Sequence, residues 1–108
     1  MKLNDLALEI HRASIAKGFW DCGPHNDSEK IMLIVCELAE VVEEFRKKDK
    51  TAIYATTDGV PHGPLIEMAD AMMRMLDFCA RKDWNIEEAI KMKMAYNKSR
   101  SYKHGKEF

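Results

Sequence analysis

ELAEVVEEFR, residues 37–46, answers to two demands at once. Leu38, Val41, Val42 and Phe45 have the spacing of a helix face that seeks a core, yet Glu37, Glu40, Glu43 and Glu44 are threaded through them. At about 100° per residue, with Glu37 as origin, Glu40 falls at roughly 300°, Glu44 at roughly 340° and Glu43 at roughly 240°. The apolar set Ile31, Ile34, Val35, Leu38, Val42 and Phe45 covers roughly 60° to 160°. Glu37, Glu40 and Glu44 thus form one narrow row beside the core face. Like charges at this spacing cost a helix about 0.2–0.5 kcal/mol per pair, so the row asks for a partner.

The segment around EMAD, residues 67–70, repeats the pattern. With Glu67 as origin, Asp70 lies at roughly 300°, Arg74 at roughly 340° and Asp77 at roughly 280°. Leu65, Met68, Met72, Met75, Leu76 and Cys79 take the core side. If the two helices pack side by side, their acid pairs face each other. A divalent cation relieves that conflict, and all-oxygen ligands suit Mg²⁺ or Mn²⁺. Arg74 can balance the acids or hold one in place. A solvated face with no ligand is the other reading.

Working outward, residues 3–16 carry apolar positions at helical spacing and predict a first helix ending near Gly18. GFWDCGPHND, residues 18–27, reads as a loop. Asn26 and Glu29 form a capping-box pattern that opens the second helix, which should run to about Lys48. Residues 49–63 predict a connection with at most one short extended piece. Gly63-Pro64 opens a third helix to about Lys82, and Asn85 with Glu88 opens a fourth to about Ser99. Four helices in one domain spanning 1–108 predict an all-α, four-helix-bundle-like protomer.

On the fourth helix Lys93, Asn97 and Arg100 continue a face begun by Ile86, Ala89 and Ile90. Cations near a helix C-terminus are favourable on dipole grounds alone. The alternative is an anion site for a metal-bound polyphosphate. Trp20 either stacks on a nucleobase or plugs the bundle end. Phe19 and the methionines read as core, and His11 and His25 as structural. His104, with Lys103 and Lys106, is a candidate phosphate contact in a basic tail.

The net charge is −1 and the pI about 6.4, which gives no field for a nucleic acid polymer. No apolar run reaches the roughly 20 residues of a membrane span, and the N-terminus carries charge inside its apolar run, unlike a signal peptide. Cys22, Cys36 and Cys79 are odd in number and lack a CxxC pair. They read as reduced, largely buried thiols of a cytoplasmic protein. A carboxylate-bridged di-iron bundle would need Glu-x-x-His, which is absent, and there is no Gly-rich phosphate loop.

With ELAE at 37–40 and EMAD at 67–70, the chain resembles the MazG-like all-α nucleoside triphosphate pyrophosphatase superfamily, whose motif is ExxE, a spacer, then ExxD. KGFWD at 17–21, ADAMMRMLDFC at 69–79, KMAYNKSR at 93–100 and YKHGKEF at 102–108 extend the likeness to its small single-domain branch over essentially the whole chain. The resemblance implies homodimers or homotetramers that cleave a nucleoside triphosphate to monophosphate and pyrophosphate. It implies Mg²⁺ on Glu37, Glu40, Glu67 and Asp70, and substrate contacts from Lys93, Asn97 and Arg100; the residues themselves add Arg74 and Trp20 as further candidates. Glu40 or Glu44 would orient or deprotonate the attacking water. The other function the residues allow is a helical oligomer that binds nucleotide and metal without turnover. The 49–63 loop leaves the base open.

Overall fold

The computed structural model describes residues 2–47 and 51–102. The tail with Lys103, His104 and Lys106 lies outside them. Among the described residues the elements are α1 (Leu3–Ala16), α2 (Asp27–Phe45), β1 (Tyr54–Ala55), β2 (Pro61–His62), α3 (Pro64–Arg81) and α4 (Ile86–Lys98). The fold is all-α apart from one small hairpin. No helix among the described residues is long and apolar enough to cross a membrane.

Local chemistry sets the boundaries. The Asn26 side chain accepts from the Glu29 backbone N–H at 3.1 Å, and Asn85 does the same for Glu88 at 3.0 Å. Gly63 precedes α3 at φ +116°, and a Cβ there would collide with the Ala52 carbonyl. That close approach lets the Leu65 N–H donate to Ala52 O at 3.1 Å and fixes where α3 begins, hence where Glu67 and Asp70 stand. α2 ends at Phe45, before the expected Lys48.

The connection holds more order than its sequence suggests. Tyr54 pairs with His62 and Ala55 with Pro61, antiparallel, around a turn through Asp58-Gly59 with Gly59 at φ +81°. The Tyr54 hydroxyl donates to Glu44 Oε2 at 3.0 Å, and Lys47 Nζ donates to Glu44 Oε1 at 3.0 Å. The hairpin is thereby tied to the end of α2.

α3 is the central helix, packed against α2 on one side and α1 on the other. Ala7, Ile34, Val41, Ala71, Leu76 and Phe78 form the buried core. α4 packs lightly on α1 through Asn4, which bonds Asn85 and Glu87, and α4 buries no residue. The fourth helix therefore does not close a bundle within one chain.

The buried face of α2 is rotated from the expected one. Ile34 and Val41 are buried, at roughly 60° and 40° on the wheel, next to the acid row. Ile31, Val35, Leu38, Val42 and Phe45, at roughly 80° to 160°, are exposed. Leu65, Met68, Met72 and Met75 of α3 are exposed as well. The apolar arcs are wider than one neighbouring helix can cover. Met32, Met73, Met92, Met94 and Phe19 are likewise exposed, not core. Cys36 is exposed too, since it falls at roughly 260° on the α2 wheel, outside the apolar arc. Cys79 is half-buried, and burial raises its thiol pKa.

Candidate functional site

Packing α2 on α3 brings the two acid pairs together. Glu37, Glu67 and Asp70 each place a carboxylate oxygen within 4.8 Å of the others. Glu40 lies close enough to Glu67 to raise its pKa. The cluster contains both halves of the ExxE and ExxD pattern, which lie far apart in the chain.

Its electrostatics show crowding of like charge. Glu67 is pushed up to about 7, first by desolvation, then by the neighbouring Glu40 side chain and the charges of Glu40, Asp70 and Glu37. Asp70 is also raised, by desolvation first and then by Glu37, with Glu40 adding to it, while Arg74 pulls the other way. Arg74 Nε donates to Glu37 Oε1 at 2.8 Å and so orients that carboxylate. One guanidinium does not balance four acids, and a proton on Glu67 partly makes up the difference.

No family profile, curated protein or solved structure matches the chain. Its own geometry therefore carries the reading of the site.

A cavity of about 710 Å³ opens beside the cluster, with Glu37, Asp70, Arg74, Asp77, Trp20 and Lys30 among its walls. Trp20 is neither a core plug nor a free ring. It is half-buried, and its Nε1–H donates to Asp77. Glu44 is one turn from Glu40, yet the structure commits it to Lys47 and Tyr54. It is buried, and its pKa is lowered mainly by the Lys47 bond. It therefore serves the hairpin and does not enter the cluster as the sequence row suggested. Lys93, Asn97 and Arg100 do not line the cavity. Lys93 and Arg100 sit over the Tyr96 ring, and Asn97 Oδ1 is buried with no hydrogen-bond partner among the described residues.

Asp77, His11 and Ser14 are the residues that reading by type passed over. His11 is buried with Nδ1 2.6 Å from Asp77 Oδ1, and the Ser14 hydroxyl donates to Asp77 Oδ2 at 2.8 Å. The available signal was the position of Asp77 on the same stripe of α3 as Asp70 and Arg74. Its partners on α1 are more than sixty residues away, beyond the reach of any local pattern.

Proposed function

We propose that the chain is a homo-oligomeric, Mg²⁺-dependent nucleoside triphosphate pyrophosphohydrolase that forms monophosphate and pyrophosphate. The observation that carries this reading is the convergence of Glu37, Glu67 and Asp70, with Glu40 beside Glu67, next to a nucleotide-sized cavity that Glu37 and Asp70 help to line.

The donor set fits a hard divalent cation: it is all oxygen, within 4.8 Å, and negative enough to hold a proton on Glu67 near neutrality. Mg²⁺ bound there would polarise a phosphate oxygen and offset the charge of the leaving pyrophosphate. Glu37, held by Arg74, and Asp70 supply fixed ligand oxygens. Glu40, beside Glu67 and outside the set Glu37, Glu67 and Asp70, is suited to accept the proton of the attacking water. Arg74 is close enough to the cluster to draw a phosphate oxygen. Lys93, Asn97 and Arg100 remain candidates for the polyphosphate. No residue of α4 is fully buried within its own chain, so their route to a nucleotide is through assembly with another copy.

The test is pyrophosphate release from a panel of standard and modified nucleoside triphosphates, ribo and deoxyribo, with Mg²⁺ and with EDTA. Release from a subset, only with metal, supports the reading and names the base. Absence of release together with metal-dependent nucleotide binding turns it into a binding module.

Self-association is the second expectation. Leu38 and Val42 on α2 and Met68 and Met72 on α3 lie 41–55% exposed, and a second copy of the chain offers the same two arcs as a matching surface. Sedimentation at micromolar concentration should show a dimer or tetramer, and Leu38→Glu should shift it toward the monomer. A wild-type monomer under those conditions refutes the assembly.

A further inference from the structure

Asp77 stands two turns beyond Asp70 on α3 but takes no part in the carboxylate cluster. Three donors from α1 and the loop after it converge on its side chain. His11 Nδ1 reaches Oδ1 at 2.6 Å, Ser14 Oγ reaches Oδ2 at 2.8 Å, and the Trp20 indole N–H is shared between them at 3.0 and 3.1 Å. An ionised carboxylate has about four acceptor positions. These contacts take them up, which leaves Asp77 little capacity to bind a metal.

The group that Asp77 immobilises is the indole. Trp20 follows α1, where no helix orients its side chain. Its N–H is anchored on Asp77, its carbonyl accepts from His25 Nε2 at 3.0 Å, and His11 and His25 meet the ring edge-on at 5.5 and 5.0 Å between centroids. Lys30 and Arg81 lie over the ring at 4.2 and 4.7 Å from its centroid, and of these two only Lys30 shares the large cavity with it. Asp70 and Asp77 are about 10 Å apart along the helix axis. That spacing is comparable with the reach of a nucleotide from its phosphates to its base.

We propose that Asp77 is a positioning residue for base recognition: it holds the Trp20 indole as the cavity wall on which the nucleotide base stacks. The inference rests on the pyrophosphohydrolase reading above. Asp77 consumes the indole N–H, so Trp20 presents the base with a π face and no hydrogen bond. A base entering the cavity takes the place of the Lys30 ammonium on that ring.

The experiment compares Asp77→Asn with the wild type in KM, kcat and inhibition by inorganic pyrophosphate, which has no base. A Trp84→Phe background leaves Trp20 as the fluorescent reporter, and nucleoside monophosphate is the quencher. KM should rise about tenfold, the value of one base–aromatic stack. kcat and the pyrophosphate inhibition constant should stay close to wild type, and quenching of Trp20 should need more monophosphate. Trp20→Phe keeps a ring and loses the N–H, so it should reproduce the KM effect even if Asp77→Asn folds poorly. A loss of kcat and of pyrophosphate inhibition together would mark a purely structural role and overturn the inference. Wild-type KM in both variants would overturn it and leave the reaction assignment standing. No turnover and no quenching by any nucleotide in the wild type would overturn both.

Discussion

Asp70→Asn and Glu67→Gln should each remove pyrophosphate release while leaving the metal-free fold as stable as before, or more so. The two effects have one cause. Glu67 is held up to about 7 by desolvation and by three neighbouring acids, so in the absence of a cation its charge opposes folding. Glutamine has nearly the same shape and no charge, and Asp70→Asn removes a charge that also raises Glu67. Turnover needs that same charge as a ligand. Losing a group that stabilises developing charge typically costs about 10²–10³ in kcat. Activity and stability should therefore move in opposite directions, which a packing role cannot produce, since replacing a packing residue lowers both. Glu44→Gln is the internal comparison. Glu44 is occupied with Lys47 and Tyr54, so its loss should loosen the hairpin and retain most of the turnover. Full activity in Asp70→Asn and Glu67→Gln would end the metal-site reading.

The helices and the acid stripes were legible because both are local. Asn26 with Glu29, Gly63-Pro64 and Asn85 with Glu88 each mark a helix start, and the structure begins its helices there. The pairing of ELAE with EMAD follows once α2 lies on α3. The core was less legible. A helical wheel gives the width of an apolar arc but not which part a neighbour covers, so Val35, Leu38 and Val42 are exposed while Val41 is buried. Glu44 shows the same limit in the site. By periodicity it belongs with Glu37 and Glu40, but a hairpin formed ten residues later supplies Tyr54 to bind it. Asp77 required three contacts across more than fifty residues, which no spacing rule contains.

Millimolar Mg²⁺ should raise the melting temperature strongly at pH 7.5 and weakly at pH 5.5. A ligand at a hundredfold its Kd adds about 2.7 kcal/mol to the native state. For a chain of this size that is a rise of roughly 10–20 °C. The pH dependence comes from Glu67. Its folded pKa of about 7 lies above the ordinary 4.5. Between those values the folded state holds a proton that the unfolded state has released, so this group makes metal-free stability fall as pH rises through the window. Asp70, raised from 3.8, acts with the same sign. Glu44 and Asp58 are lowered, so their contributions are lost only in more acid solution. A cation binds the deprotonated cluster and competes with the proton, so at pH 5.5 it must displace what at pH 7.5 has largely left. Glu67→Gln should flatten the metal-free slope between pH 5 and 7, which assigns that slope to this group. A melting temperature indifferent to Mg²⁺ at pH 7.5 would mean that the four acids meet without holding a metal, and the chemistry built on them would fall with it.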